Sequence, residues 1–204
     1  MPNWCECELI VSGPKADLTR FLAQARQGDR PLSFQPFVPR PPELDIASDG
    51  FGSIGYDAWY GDAEKILSYP WVVQAGVKDV EELRQFLEQK DPAYHQQADT
   101  YAHNIAKYGA PTWYEWNVKH WGTKWEPEEN IQVTNDSPSH ARFLFSTAWS
   151  PPLPVIRAMA AAFPTLAFSL NYWEGGCGFQ GTLHAEFGEI LEDNSYPYHG
   201  SRGG

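Results

Sequence analysis

The strongest constraint on the fold is a hydrophobic pattern that changes period in the same order twice along the chain. Trp4–Val11 alternates apolar and polar side chains, which is typical of a half-buried strand. A helical stripe follows in Leu18–Ala25, where apolar residues recur three and four positions apart. Leu32–Val38 alternates again and predicts a second strand, which Pro36 and Pro39 either place at a sheet edge or end.

The same order returns in the second half of the chain. Arg142–Trp149 is apolar on both faces and predicts a central strand, and Val155–Phe163 carries the next helical stripe. Leu166–Tyr172 alternates, Glu174–Gly176 is typical of a hairpin turn, and Phe179–Phe187 predicts the returning strand. Two β-α-β units predict an α+β protein of the ferredoxin-like class, an antiparallel sheet with both helices on one face and an extra C-terminal hairpin strand.

Between these halves lies a segment of different character, residues 40–110. It opens with a proline pair and a loop rich in glycine and aspartate that continues through Gly55. Capping residues and apolar spacing then predict helices over Asp62–Ser68, Asp79–Lys90 and Ala98–Tyr108. The segment is therefore predicted to be a mainly helical insertion. After it, Ile131 and Val133 predict a short further strand.

The domain organisation follows from chain length and from the placement of charge. A chain of 204 residues allows one large domain, which we predict over 1–192, with 193–204 as a flexible tail. Residues 41–100 contain 12 acidic and 4 basic side chains, which is −8 of the total formal charge of −11. The acidity of the protein is thus concentrated in the insertion, while the run Glu126–Glu129 is interpreted as solvated surface.

The predicted core consists of the inward positions of the strands and the stripes of the two helices. These residues are Cys7, Leu9, Val11, Phe143, Phe145, Phe168 and Leu170 on the sheet, with Leu18, Phe21, Leu22, Val155, Ile156 and Met159 on the helices.

Charge and hydropathy exclude several classes of protein. A net charge of −11 with a pI near 4.9 argues against a protein whose main contact is a phosphate backbone. No stretch approaches 18 apolar residues, and the first residues show neither a basic region nor an apolar region of a signal peptide. We therefore expect a cytoplasmic protein without a membrane span.

Three cysteines and six histidines offer no recognisable metal or catalytic pattern. Cys5 and Cys7 share one face of a strand and are assigned to packing, as is Cys177, because no metal-ligand spacing lies nearby. The glycines at 50, 52 and 55 are not followed by the lysine of a phosphate-binding loop. No cofactor, metal or catalytic residue is predicted, and an enzyme is the less favoured class.

The motif Trp121-Gly122-Thr123-Lys124-Trp125 is the first candidate binding element. Lys124 between two indoles could place an ammonium group over a ring, and Trp121 and Trp125 could form a platform for a flat ligand. The alternative is structural, with both tryptophans covering the open side of the sheet. The sequence leaves both interpretations open.

Two further aromatic positions lie beside polar groups. Trp149 precedes Ser150, which is predicted to cap the following helix rather than to act as a nucleophile. Trp173 precedes the hairpin whose returning strand carries His184 and Glu186 on one face. That pair could support acid–base chemistry, but a solvated strand face with a chance pairing of histidine and glutamate is the favoured interpretation.

Four ordered motifs resemble one known family. They are MPNWCECELIVSGP at the start, WGTKW at 121–125, FSTAWSPPLPVI at 145–156 and FPTLAFSLNYWEGGCGFQG at 163–181. They resemble the YubB-type ferredoxin-like family of uncharacterised phage and plasmid proteins, although Glu6 stands where the family pattern has asparagine and the match is weakest across 40–110. The resemblance implies a ferredoxin-like fold and a mobile-element origin, and it implies no reaction.

Two classes of function remain from these observations. The first is a non-enzymatic binding protein that uses protein–protein contacts, including an acidic inhibitor or DNA mimic directed at a host nucleic-acid-binding or defence protein. Its partner would have a basic surface, and direct nucleic-acid binding is the alternative within this class. The second class is an enzyme whose site the sequence does not identify. Binding residues are predicted in two parts of the chain. In the second half they are Trp121, Lys124, Trp125, Trp149 and Trp173, and in the insertion they are Glu81, Glu82 and Glu88.

Overall fold

Six strands, eight α-helices and one 3-10 turn form the part of the chain that the computed structural model describes, residues 3–128 and 130–200. In chain order the elements are β1 (Trp4–Ser12), α1 (Lys15–Ala25), the 3-10 turn (Pro42–Leu44), α2 (Gly50–Trp59), α3 (Ala63–Leu67), α4 (Pro70–Gln74), α5 (Val80–Lys90), α6 (Ala93–Tyr108), α7 (Trp113–His120), β2 (Gln132–Ser137), β3 (His140–Ala148), α8 (Leu153–Ala162), β4 (Ala167–Glu174), β5 (Phe179–Glu186) and β6 (Glu189–Pro197). The chain divides into two compact units, Met1–Pro39 with Asn117–Gly204, and Arg40–Trp116.

The first unit contains one antiparallel sheet in the order β2-β3-β1-β4-β5-β6. β1 lies between β3 and β4, and β2 runs in the same direction as β1 with β3 between them. This is the ferredoxin-like arrangement, so the predicted α+β class is confirmed. Two strands, β5 and β6, extend the sheet beyond the four of that plan, where the sequence predicts only one.

The second strand of the plan is not where the alternation predicts it. Leu32 and Phe34 are buried, but they lie in a turn in which the amides of Phe37 and Val38 donate to the carbonyl of Phe34. Prolines at three nearby positions remove the donors that a strand ladder needs. The strand of this unit is β2 instead, and the helical insertion therefore lies between α1 and β2, not between the two halves.

Glu126 holds this turn in place. Its Oε2 accepts the Phe34 N–H at 2.7 Å, and its Oε1 accepts the Gln35 N–H at 3.1 Å and the Ser33 hydroxyl at 3.0 Å. Burial raises the pKa of the Glu126 carboxyl, and the three donated hydrogen bonds oppose that shift. Glu126 is therefore a structural clamp and not solvated surface, while Glu129 lies outside the described residues.

The core of the first unit lies between α1, α8 and one face of the sheet. Phe21 on α1 makes edge contacts with Phe143 and Phe168, whose ring centroids lie 6.2 and 5.4 Å away. All the predicted core residues are buried except Leu22, which is half-buried. The helical stripe is therefore one residue narrower than predicted.

The second unit contains helices α2 to α6, packed around a core of their own. Helix α2 occupies a segment that its glycines led us to predict as a loop. A Cβ added to Gly52 would lie 2.1 Å from the Tyr101 ring, and one added to Gly55 would lie 2.1 Å from the Tyr94 carbonyl oxygen. These glycines therefore permit α2 and α6 to approach closely, which a rule based on helix propensity does not anticipate. One cluster of buried residues in the second unit consists of Ala58, Ile66, Val72, Leu83, Leu87 and Tyr94.

Strand β6 corrects the prediction for the C-terminal segment. It continues to Pro197, so residues 193–197 belong to the sheet and not to a tail, while residues 201–204 lie outside the described residues. The β5–β6 turn exposes Phe187, which the alternation placed on the same face as Leu183. Among the described residues, no helix combines the length and hydropathy needed to span a bilayer.

Candidate binding site on the open face of the sheet

The face of the sheet opposite α1 and α8, called the open face here, carries the polar members of each alternating strand. On β1 the odd positions from Cys5 to Val11 are buried, so Glu6 and Glu8 point to the open face. On β4 the same alternation places Asn171 and Trp173 there, and both are exposed or half-buried. The open face is thus accessible along its central strands.

A groove of about 380 Å³ lies on this face across β4, β5 and β6. The strand register places Trp173 opposite Gln180, and Gln180 opposite Tyr196. Trp173 is 37% exposed and Tyr196 is 48% exposed, so both rings are available for contact. The remaining lining residues are Asn171, Tyr172, Gly181, Thr182 and Tyr198.

The open face is electrostatically negative. Glu6 lies directly opposite Trp173 in the register, and its Oε2 accepts the Ser146 hydroxyl at 3.0 Å. Glu8 accepts the Arg142 Nε–H at 2.6 Å and a longer bond from Asn171 at 3.4 Å. Arg142 is the one arginine or lysine in the six described strands, and the open face also carries Glu186 and Glu192. This surface suits a cationic ligand better than a phosphate.

The predicted His184–Glu186 pair is formed on the same face. Nε2 of His184 lies 3.1 Å from Oε1 of Glu186, and both side chains are more than a third exposed. Ser169 stands opposite His184 in the register, but no hydrogen bond joins the two side chains within the described strands. The arrangement therefore lacks the nucleophile–base contact that acyl-transfer chemistry needs.

The tryptophan motif at 121–125 divides into a structural half and an exposed half. Trp121 is only 1% exposed and donates its Nε1–H to the Val38 carbonyl at 2.8 Å. Gly122 adopts φ 86°, and a Cβ there would lie 2.4 Å from Cδ of Pro154. Thr123 donates to the Ala148 carbonyl at 2.9 Å. Trp121 is therefore a core residue, and the platform interpretation is wrong for it.

Lys124 and its aromatic neighbours form the exposed half. Nζ of Lys124 lies 4.4 Å from the ring centroid of Trp125 and 4.8 Å from that of Trp149. Trp125 also contacts Trp4, with centroids 6.4 Å apart, beside an open groove of about 540 Å³. The predicted cation–π contact between Lys124 and an indole is therefore present.

The predicted role of Ser150 as the cap of α8 is wrong. The Ser150 hydroxyl donates to the Gly122 carbonyl at 2.7 Å, and no side-chain hydrogen bond caps that helix.

The cysteines differ in burial. Cys5 and Cys7 are buried as predicted, and burial raises the pKa of the Cys7 thiol. Cys177 is exposed in the β4–β5 turn and has no packing role of the predicted kind. Residues 3–128 and 130–200 hold no group of three side chains suited to a metal ion.

The three predicted glutamates of the insertion, Glu81, Glu82 and Glu88, are all exposed on α5. Glu82 accepts the backbone N–H of Lys78 at 2.9 Å, and Glu88 lies 3.4 Å from Nδ1 of His95. The helices α2, α3 and α5 each begin at an aspartate whose side chain accepts backbone N–H groups: Asp49, Asp62 and Asp79. Part of the acidity of this unit therefore serves helix capping.

Sequence reasoning identified Trp173 but missed its partners in the groove. Tyr196 and Tyr198 lie in the segment predicted to be a tail, because residues 192–195 are all polar and show no alternation of apolar and polar side chains. Trp4 was assigned to the first strand without a role. Bringing these residues together requires the pairing of strands distant in sequence, which composition and spacing do not reveal.

The comparisons with known proteins do not identify an activity. No curated protein matches the chain. A crystal structure of protein api92 from Yersinia pseudotuberculosis is similar at 11% sequence identity and a TM-score of 0.49, covering 98% of this chain and 100% of that chain. Residues 120–200, which contain all strands from β2 to β6, match the model of a family described as the ferredoxin-like domain in Api92-like protein.

Proposed function

We propose that this protein is a non-enzymatic binding protein whose open face takes a basic polypeptide segment of a partner protein. The observation that carries the proposal is the groove in which Trp173 and Tyr196 lie exposed, with Glu6 directly opposite Trp173 on the neighbouring strand β1. Aromatic rings bordered by carboxylates attract arginine and lysine side chains through cation–π contacts and ion pairing. A groove of about 380 Å³ also falls within the size range of specific ligand sites.

Charge separates this proposal from nucleic-acid binding by the same face. RNA-binding sheets stack bases on aromatic residues and hold the phosphates with flanking lysines and arginines. Here Arg142 is already bonded to Glu8, and the other charged or imidazole groups on the described strands of this face are carboxylates, His140 and His184. Phosphate groups would therefore be repelled where a basic peptide is attracted.

The exposed acidic residues of the insertion would assist binding of the same basic partner by speeding the encounter. Exposed carboxylates on α5 would speed the encounter with a basic protein, because long-range attraction raises association rates more than it raises affinity. Such a partner includes host nucleic-acid-binding or defence proteins, whose phosphate sites an acidic surface of a mobile-element protein would occupy.

The proposal is tested by fluorescence anisotropy with a labelled peptide of alternating arginine, lysine and glycine, and with a single-stranded RNA of the same length. We expect peptide binding that Trp173→Ala weakens at least tenfold, equivalent to about 1.4 kcal/mol. The matched control is Leu191→Ala, because Leu191 is an exposed apolar residue of β6 outside the groove. Equal effects of the two substitutions, or tighter binding of RNA than of peptide, would overturn the proposal.

A further inference from the structure

The surroundings of Glu6 distinguish it from the other carboxylates of the open face. Glu6 is exposed on β1, and on the β3 side it receives one hydrogen bond, from Ser146. On the β4 side the residue directly opposite is Trp173. Two positions earlier on the same strand, and on the same face, is Trp4. Glu6 therefore has Trp4 as its neighbour along β1 and Trp173 as its neighbour across to β4.

The spacing of these groups is set by the sheet itself. Neighbouring strands lie about 4.8 Å apart, and residues two positions apart on one strand lie about 6.6 Å apart. The backbone of each tryptophan therefore lies within about one side-chain length of the backbone of Glu6. Trp4 is further fixed by its contact with Trp125, whose ring centroid lies 6.4 Å away. The position of the Trp4 ring is thus limited before any ligand binds.

The chemistry of this arrangement favours a planar cation. A guanidinium group can stack its face on an indole while its edge donates two parallel hydrogen bonds to a carboxylate. An ammonium group pairs with the carboxylate as a point charge and has no planar face to stack. Indoles of this protein already hold a cation elsewhere, since Lys124 lies over Trp125 and Trp149.

We infer that Glu6, Trp4 and Trp173 form a subsite that reads one arginine side chain of the bound segment. The inference rests on the proposed function, and it adds the residue that the site selects. The Oε2 atom of Glu6 is fixed by the Ser146 hydroxyl, and the two carboxylate oxygens together accept the forked edge of the guanidinium. The indole of Trp173 covers one face of the guanidinium, and Trp4 closes the side toward the start of β1.

The test uses three labelled peptides of identical sequence that differ at one central position, which holds arginine, lysine or citrulline. Citrulline has the size and nearly the shape of arginine but no charge. With the wild-type protein we expect arginine to bind at least fivefold more tightly than lysine and at least tenfold more tightly than citrulline. Glu6→Gln should reduce binding of the arginine peptide to the citrulline level and leave citrulline binding unchanged.

Two further variants separate the indoles from the charge. Trp4→Leu and Trp173→Leu should each reduce the preference for arginine over lysine at least twofold. The matched control Glu189→Gln removes an exposed carboxylate at the start of β6 and should leave the preference unchanged. Circular dichroism melting confirms that each variant is folded.

The outcomes distinguish the two levels of the proposal. If none of the three peptides binds, the proposed function itself is wrong. If all three bind with equal affinity, or if Glu6→Gln leaves the preference for arginine intact, basic segments bind the protein but the arginine subsite is wrong.

Discussion

Removal of the Glu126 carboxylate is the sharpest test of how the first unit is held together. The carboxylate accepts hydrogen bonds from the amides of Phe34 and Gln35 and from the Ser33 hydroxyl. Phe34 is completely buried and its amide would lose its acceptor, whereas the Ser33 hydroxyl keeps Oε1 of Gln27 at 2.8 Å. A hydrogen bond to a charged group contributes about 1.5–3 kcal/mol, and a buried donor left unpaired costs about 1–3 kcal/mol. Because the three bonds share one acceptor group, we expect Glu126→Ala to cost about 3–5 kcal/mol, less than their sum.

The assay is urea unfolding followed by fluorescence and by circular dichroism. Glu128→Ala is the matched control, because Glu128 lies two residues away and its backbone bond to the Ser146 carbonyl survives the substitution. We expect the control to change the free energy of unfolding by less than about 0.5 kcal/mol. A loss below about 1 kcal/mol for Glu126→Ala would refute the clamp.

The same residue predicts a dependence on pH. Because burial raises the pKa of Glu126 in the folded protein above its ordinary value of 4.5, the folded state holds this proton more tightly than the unfolded state. The contribution of this carboxyl to stability therefore falls as pH rises above 4.5. The difference in unfolding free energy between wild type and Glu126→Gln should be largest near pH 4 and should shrink toward pH 7. A difference that grows with pH would contradict the assignment.

Three further predictions concern the core, the tight turn and the insertion. Phe145→Ala should cost about 3–5 kcal/mol in urea unfolding, because its buried ring leaves a cavity, and a loss below about 1 kcal/mol would contradict its place in the core. Gly122→Ala should cost more than Gly28→Ala, since both have positive φ but only at Gly122 would the added Cβ meet neighbouring atoms; equal costs would contradict this. Combined neutralisation of the exposed residues Glu81, Glu82 and Glu88 should slow association with a basic partner at low salt, measured by stopped-flow fluorescence, and should change the melting temperature little. Unchanged association would limit this acidity to a structural or solubilising role.

The sequence predicts those features of the fold that depend on local periodicity. The alternation of Cys5, Cys7 and Leu9 identifies the buried face of β1, and the aspartate at residue 79 correctly marks the start of α5. Helix α2 and the turn at Leu32–Val38 were not predicted, since both depend on partners distant in sequence. Glycine in α2 is favourable only because Tyr101 packs against it, and the turn depends on Glu126.

The candidate site was predicted only in part, for a related reason. Trp173 stands out in the sequence as an aromatic residue beside a hairpin signal. Its relation to Glu6 and Tyr196 depends on the order and register of β1, β4, β5 and β6. Trp121 and Trp125 belong to one short motif, yet Trp121 is 1% exposed and Trp125 is 39% exposed. Composition alone did not separate the buried tryptophan from the exposed one.

The most direct test of the central claim is a backbone amide chemical-shift titration of isotope-labelled protein with the central-arginine peptide. We expect the largest shift changes to cluster on the open face, at Glu6, Trp173, Gln180 and Tyr196, and to be much smaller with the citrulline peptide at the same concentration. Shift changes confined to α1 and α8, or to the helices of the second unit, would contradict the assignment of binding to the open face.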